Sequence, residues 1–175
     1  PRILFLGRLD YEKHIHNLLK AVAKLPASLN TQVEIVGDGG ERKHLEDLAV
    51  ELGIKSQVKF LGHITEEELP KAYERATLFA MPSIAELQSI ATMEAMASGR
   101  PVVAADAMAL PHLVHDGDNG YLFPPDDVDA LMIVVIAVPV LRVFQQLVEP
   151  KKRCMLPTQR LRVQLQLLCL LQGLR

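Results

Sequence analysis

The chain lacks tryptophan altogether, and aromatic residues make up only 5% of its 175 positions. It has little cysteine: Cys154 and Cys169 cannot make a disulfide framework, so a reducing compartment is the simpler expectation. It also has no excess of positive charge, since a net charge of −2 excludes a nucleic-acid-binding domain with a broad basic face. With 49% hydrophobic and 23% charged residues, the composition is that of one globular domain.

A long hydrophobic run and a leader are lacking as well. The longest apolar run covers residues 130–141 and is interrupted by Pro139, whereas a membrane-spanning helix needs ~20 apolar residues. The chain begins PRILFLGRLD, without a charged-then-apolar leader, so no signal peptide is expected. We therefore expect a cytoplasmic protein that does not span a membrane.

What is present is a series of short apolar runs separated by amphipathic stretches. The runs predict strands at residues 3–6, 33–36, 58–61, 78–81 and 102–104. Strands that alternate with helices predict a parallel sheet covered on both faces, that is, a doubly wound, Rossmann-like α/β fold. Because ligands of such sheets bind at the carboxyl ends of the strands, functional residues are expected directly after each strand.

Two helices in this pattern have recognisable ends. Thr65 and Glu68 have the spacing of a capping box, which predicts a helix start there, with Tyr73 on the inner face of that helix. A second helix includes Glu94 and is expected to stop before Gly99. The two helices flank the fourth predicted strand.

Two loops that follow predicted strands have the composition of phosphate-binding loops. The first contains Gly7, Arg8 and Lys13, and an arginine fork with a lysine point charge suits a diphosphate. The second contains Gly37 and Gly39, which allow a ligand to approach the backbone closely. Taken alone, the first is more often a solvated loop with surface ion pairs, and the second is most often a simple turn.

Two glutamates, Glu86 and Glu94, are separated by seven residues after the fourth predicted strand. Glu86 is expected in a loop and Glu94 about one turn into the following helix. Carboxylates in these positions can accept hydrogen bonds from the hydroxyls of a polyol, and the helix start near Ser89 and Ile90 offers free N–H groups to phosphate. The spacing by itself leaves open that one is an exposed helix residue and the other a loop charge.

Several segments resemble the motifs of one family and occur in that family's order. They read GRLDYEK, VGDGGERKHLEDLAVELGI, VKFLGHITEEELPKAYERATLFAMPS, EAMASGRPVVA and DGDNGYLFPPDDVDAL, and they cover residues 3–131. With Glu86 and Glu94 matching the E-x7-E motif, the chain resembles retaining glycosyltransferases of the GT-B fold, family 4 in particular. The resemblance implies that residues 1–131 are the carboxyl-terminal, Rossmann-like domain that binds the nucleotide sugar, and that the amino-terminal acceptor domain is absent.

The resemblance also implies a role for each matched residue. Arg8 and Lys13 would hold the diphosphate of the donor, Glu86 would contact the donor sugar, and Glu94 would bind the ribose. Glu86, Arg8 and Lys13 form the implied catalytic set. Further substrate contacts would come from Gly7, Gly37, Gly39, His63 and Ile64 and from the backbone N–H groups of Leu87, Gln88, Ser89 and Ile90.

The implied chemistry requires neither a cofactor nor a metal ion. Fixed cations stabilise the negative charge that accumulates on a departing nucleoside diphosphate. His14 and His16 alternate in the sequence but have no third ligand nearby, so they are interpreted as surface or helix-capping residues.

The implied reaction moves a hexose from a UDP- or GDP-sugar to a lipid or glycan acceptor. Where many family members have a glycine-containing EGFG-like loop, this chain has Glu86-Leu87-Gln88-Ser89, which resembles a branch with lipid acceptors and leaves the donor sugar open. A family P-E-[LI]-[VI] stretch is replaced by PHLV at residues 111–114, which we do not interpret as catalytic. This domain alone is expected to bind donor weakly and to transfer little or nothing.

Residues 132–175 differ in character from the rest. Residues 151–175 contain six basic residues and no acidic one, whereas residues 1–150 contain 13 basic and 21 acidic residues. This tail is interpreted as a divergent, spliced or frameshifted end, and its crowded leucines predict self-association. The alternative function is therefore a non-catalytic truncated module that associates with a protein or with the inner face of the membrane through the basic tail.

Overall fold

The computed structural model describes the secondary structure of residues 1–148 and the side chains of residues 1–138. The chain divides into two compact units, Pro1–Val135 and Ile136–Arg175. The predictions for the basic tail, residues 151–175, lie outside the described residues. All the predicted site residues belong to the first unit.

A six-stranded parallel sheet forms the centre of the first unit. Its order is β3-β2-β1-β4-β5-β6, and each neighbouring pair is parallel. The first five strands agree with the sequence prediction, and β6 is a strand that the sequence analysis did not predict. The strands are β1 (Arg2–Leu6), β2 (Gln32–Val36), β3 (Val58–Gly62), β4 (Leu78–Met81), β5 (Val102–Ala105) and β6 (Gly120–Phe123).

Helices connect the strands and cover the sheet. Crossovers between parallel strands are right-handed in nearly all proteins, so connections that run in opposite directions along the sheet cover opposite faces. The direction reverses where the chain passes from β3 to β4, which makes the sheet doubly wound. The helices are α1 (Ile15–Ala23), α2 (Arg42–Glu51), α3 (Glu68–Arg75), α4 (Ile90–Ala97), α5 (Leu110–Leu113) and α6 (Val128–Val148).

The burial of the strands follows their position in the sheet. Every residue of β4 and β5 is buried, whereas the edge strand β3 alternates between buried and exposed positions. Central parallel strands are covered on both faces, which explains their continuous apolar sequence. This rigid core fixes the positions of the loops at the carboxyl ends of β1 to β4.

The predicted helix signals are present. The N–H of Thr65 donates to Glu68 Oε2 at 3.1 Å, and the N–H of Glu68 donates to Thr65 Oγ1 at 3.3 Å, so the capping box before α3 is confirmed. Glu94 lies one turn into α4, and that helix ends at Ala97, as predicted. Among residues 1–148, none of the helices combines the length and apolar character needed to cross a membrane.

Candidate functional site

The strand order creates a crevice between two loops. β1 and β4 are neighbours at the point where the order reverses, so the loops that follow them leave the sheet in opposite directions. The loop after β1 includes Lys13, and the loop after β4 includes Glu86. The two predicted site residues therefore come from chain segments that only the sheet brings together.

Lys13 and Glu86 contact each other directly. Lys13 Nζ lies 2.6 Å from Glu86 Oε1, and the two side chains are only 15% and 12% exposed. An ion pair with so little exposure needs both partners, because either charge left alone would be poorly solvated. The sequence analysis assigned the two residues to different parts of a ligand and did not predict that they meet.

Hydrogen bonds to the backbone hold these two loops together. The buried hydroxyl of Ser83 and the N–H of Ile84 both donate to the carbonyl oxygen of Glu12, at 3.2 and 3.1 Å. The N–H of Ala109 donates to the carbonyl oxygen of Glu86 at 3.0 Å. Since Glu12 directly precedes Lys13, these bonds fix the backbone on both sides of the ion pair. The sequence analysis missed this role of Ser83.

Arg8 has a different environment from that of Lys13. Its guanidinium lies 2.7 Å from Asp10 Oδ2 and 3.7 Å from Glu12 Oε1, and its side chain is 76% exposed. Ion pairs with this exposure contribute little to stability. Arg8 is thus free to exchange its carboxylate partners for an incoming anion at small cost.

The glycine-rich loop after β2 packs against the loop after β1. Gly37 has φ +123°, and a Cβ there would lie 1.9 Å from the carbonyl oxygen of Gly7. A Cβ at Gly39 would lie 2.5 Å from the carbonyl oxygen of Leu9. Both glycines are therefore required by the close approach of the two loops, a reason that is independent of any ligand.

An open pocket of about 280 Å³ lies beside the carboxyl ends of β1 and β2. It unites predicted residues from three different loops, among them Arg8 and His63. Leu69 adds apolar surface to it, and Asp38 adds a carboxylate, neither of which the sequence analysis had included. The predicted residues in its lining are Gly7, Arg8, Gly37, His63 and Ile64, and the remaining ones are Leu6, Val36, Asp38 and Leu69.

The start of α4 presents unused backbone donors. Ser89 is the N-cap residue with φ +48°, and its hydroxyl lies 2.7 Å from that of Thr92 instead of capping an N–H group. Within the described part of the chain, none of the N–H groups of residues 87–90 has a hydrogen-bond acceptor. The side chains of Leu87, Gln88 and Ile90 are exposed. Within the described residues, the four predicted N–H donors are therefore left without an acceptor, although the side chain of Ser89 is buried.

Glu94 is held by a neutral partner. The hydroxyl of Tyr73, on α3, lies 2.9 Å from Glu94 Oε2 and 3.2 Å from the carbonyl oxygen of Ala91. Burial raises the pKa of Tyr73 above its ordinary value, and the hydrogen bond to Glu94 and the charge of Glu94 raise it further. Tyr73 therefore stays protonated and donates. The sequence analysis placed it on the inner face of its helix and missed this contact.

His14 occupies the N-cap position of α1, one of its two expected places, with φ +48°. Its side chain is nevertheless buried and makes no capping hydrogen bond; Nδ1 lies 2.7 Å from Asp126 Oδ1. The expectation of a surface position is wrong for His14. The neighbouring His16 is partly buried, and burial and the charge of His14 lower the pKa of His16.

Residues 1–138 match the family model described as Glycosyl transferases group 1. The chain belongs to this family. It is 37% identical over 129 residues to an uncharacterised glycosyltransferase of Methanocaldococcus jannaschii, a match that covers 74% of this chain and 33% of that protein. The chain spans about a quarter to a third of the length of the curated relatives it matches.

Solved structures share the fold. Sucrose-phosphate synthase from Thermosynechococcus elongatus superposes with a TM-score of 0.75 at 32% identity, over 80% of this chain and 36% of that one. Anabaena HepE, in complex with UDP-glucose, superposes with a TM-score of 0.73 at 32% identity, over 81% and 40% of the two chains. The doubly wound prediction is confirmed: this is one half of a GT-B fold, and one of its structural neighbours holds UDP-glucose.

Proposed function

We propose that this domain binds the nucleotide-sugar donor of a retaining, family 4 glycosyltransferase that moves a hexose from a UDP- or GDP-sugar to an acceptor. The observation that carries the proposal is the Lys13–Glu86 pair at the reversal of the sheet. Ligands of doubly wound folds bind at this crevice. A cation and a carboxylate side by side match the diphosphate and the sugar hydroxyls, which are neighbours in a nucleotide sugar.

Lys13 can hold the donor without losing its partner. Its ammonium group has three N–H donors, of which Glu86 uses one, so a phosphate oxygen can take another. Arg8 adds a second cation when it turns from Asp10 to the diphosphate, and its exposure makes that exchange cheap. The two cations then stabilise the charge that accumulates on the leaving nucleoside diphosphate.

Glu86 and the start of α4 would bind the sugar. A carboxylate accepts hydrogen bonds from hydroxyls, and Lys13 holds Glu86 with one oxygen in the ion pair. The N–H groups of residues 87–90 point their partial positive charge to sugar and phosphate oxygens, as helix starts do in anion-binding sites. Hydrogen-bond donors and a carboxylate acceptor would thus lie along the donor from its sugar to its diphosphate.

The pocket lined by Gly7, Gly37, His63 and Ile64 would hold the nucleoside. Ile64 and Leu69 offer apolar surface to a base, and the glycine backbone leaves room beside the sheet. Glu94 would accept hydrogen bonds from the ribose. The proposal includes both uracil and guanine, because a pocket that is open to the exterior does not restrict the size of the base.

We further propose that an amino-terminal acceptor domain completes the enzyme and that residues 132–175 form a separate segment outside the donor-binding domain. The matched region of about a quarter to a third of its relatives' length supports this division. This domain alone would then bind donor weakly and transfer little. Cytoplasmic location, with contact at the inner face of the membrane through the basic tail, belongs to the same proposal.

Nucleotide binding tests the proposal directly. UDP or GDP at millimolar concentration should raise the melting temperature of the chain, because a ligand that binds only the native state stabilises it. Uridine and guanosine serve as controls for the diphosphate, and EDTA should leave the shift intact. If a folded chain shows no shift with either nucleotide, the donor site is refuted, and a module that acts only by association becomes the better account.

A further inference from the structure

Helix α3 brings to the site a residue that sequence analysis places in the core. Tyr73 is 2% exposed, and its ring lies 6.0 Å from that of Phe79, centroid to centroid. Packing of this kind requires only the ring. The hydroxyl, however, lies within hydrogen-bond distance of Glu94 and Ala91. The polar end of Tyr73 therefore has a role that packing does not explain.

We propose that Tyr73 is a positioning residue that holds one carboxylate oxygen of Glu94 and so aims the other at the ribose hydroxyls of a bound nucleotide. The inference rests on the proposed function, because it needs Glu94 to bind ribose. It adds a residue of α3 to a site otherwise built from the loops after the strands and from α4.

The distances show which acceptor the hydroxyl prefers. A tyrosine has a single O–H, and Glu94 Oε2 is nearer than the carbonyl oxygen of Ala91, at 2.9 against 3.2 Å. The carboxylate is also charged, and hydrogen bonds to charged acceptors are roughly twice as strong as neutral ones. The hydroxyl of Tyr73 therefore donates mainly to Glu94, and the longer contact with the carbonyl oxygen of Ala91 helps to hold the phenol in position.

The contact leaves Glu94 with capacity for a ligand. Within the described residues, Tyr73 is the only side chain that hydrogen-bonds to the Glu94 carboxylate, and it engages Oε2 alone. Each carboxylate oxygen can accept two hydrogen bonds, so Oε1 can serve adjacent ribose hydroxyls. Without the phenol, a glutamate loses more side-chain entropy when it adopts one orientation on binding.

The neutral state of Tyr73 matters for this role. A cation in its place would compensate the charge of Glu94, as Lys13 does for Glu86, and would weaken the attraction for hydroxyl protons. Burial and the adjacent carboxylate raise the pKa of Tyr73, so the phenol remains a neutral donor over the working pH range. Orientation is thus achieved while the carboxylate keeps its full charge.

Binding of a nucleotide and its deoxy analogue separates positioning from packing. The full chain is titrated with UDP or GDP, whichever it binds, and with the matching 2′,3′-dideoxy nucleotide. Tyr73→Phe should reduce the preference for the ribonucleotide by about twofold to threefold, a part of the roughly fivefold that Glu94 itself contributes, and leave the affinity for the dideoxy analogue unchanged. Glu94→Ala should abolish the preference, and Tyr121→Phe, which removes a hydroxyl from β6, should not change it.

The outcomes distinguish this inference from the proposed function. The positioning role is overturned if Tyr73→Phe lowers the affinity for both nucleotides equally or leaves the preference for the ribonucleotide unchanged. In either case the proposed donor site stands. A wild-type chain that binds neither UDP nor GDP overturns the proposed function and the ribose role together. Thermal unfolding tests the contact without ligand: Tyr73→Phe, Glu94→Gln and the double variant should give shifts that do not add, and additive shifts overturn the inference.

Discussion

The two glutamates that follow β4 have contrasting surroundings. Glu86, in the loop, forms an ion pair with Lys13 at 2.6 Å, whereas Glu94, in α4, accepts a hydrogen bond from neutral Tyr73 at 2.9 Å. Lys13 compensates the charge of Glu86, whereas Tyr73 is neutral and leaves the charge of Glu94 uncompensated. The sequence places the first carboxylate in a loop and the second in a helix, and their partners differ as well: Glu86 is paired with a cation, and Glu94 accepts a hydrogen bond from a neutral donor.

Removal of Lys13, the partner of Glu86, should give the largest effect on ligand binding. Lys13→Ala should weaken UDP or GDP binding by about 1.5–3 kcal/mol, roughly tenfold to a hundredfold, because a charge-assisted contact to phosphate is lost. Binding of uridine or guanosine should change little. Isothermal titration measures both, with Lys20→Ala, an exposed lysine on α1, as the matched control. Equal losses for nucleotide and nucleoside would mean that Lys13 acts through folding.

The ion pair should also be visible in stability without any ligand. Lys13→Met should lower the free energy of unfolding by about 1–3 kcal/mol, since it leaves Glu86 partly buried without its partner. Adding Glu86→Gln to Lys13→Met should recover part of this loss. Urea denaturation gives the three values. A double variant less stable than the single one would contradict the view that the cost arises from an uncompensated charge.

Glu94 should show a smaller effect, of a different kind. Glu94→Ala should weaken the binding of UDP and the binding of uridine by the same factor, about fivefold. This factor corresponds to the loss of one or two ribose hydrogen bonds worth about 1 kcal/mol in total. The exposed Glu66→Ala provides the control for loss of a negative charge. If Glu94→Ala weakened the binding of UDP and left the binding of uridine unchanged, Glu94 would act on the phosphates, and its contrast with Glu86 would disappear.

Arg8 should have the smallest effect on stability. Arg8→Ala should change the free energy of unfolding by less than about 0.5 kcal/mol, because its ion pairs are exposed. Its effect on nucleotide binding should be larger than its effect on stability, which titration and urea denaturation of one preparation can compare. A stability loss like that of Lys13→Met would show that Arg8 supports the loop.

The sequence predicted the local features well and the long-range contacts poorly. The strands β1 to β5, the capping box at Thr65 and the place of Glu94 in α4 depend on neighbouring residues, and periodicity reports them. β6 was missed because it begins with glycine, a residue that is depleted in strands and shortens the apolar run. Gly120 has no side chain because a Cβ there would lie 2.4 Å from the carbonyl oxygen of Val102, a constraint that only the sheet imposes.

The sequence by itself determined the fold class and the family, because motif order and alternating apolar runs are encoded locally, whereas the roles of the site residues stay a prediction. Only the tertiary structure decided which residues meet. Lys13 and Glu86 are 73 positions apart, and Tyr73 and Glu94 are 21 apart. The strand order puts β1 beside β4 and thereby joins the first pair, while the packing of α3 near α4 joins the second. A carboxylate becomes a compensated charge or an oriented acceptor through such partners, and no spacing along the chain specifies which.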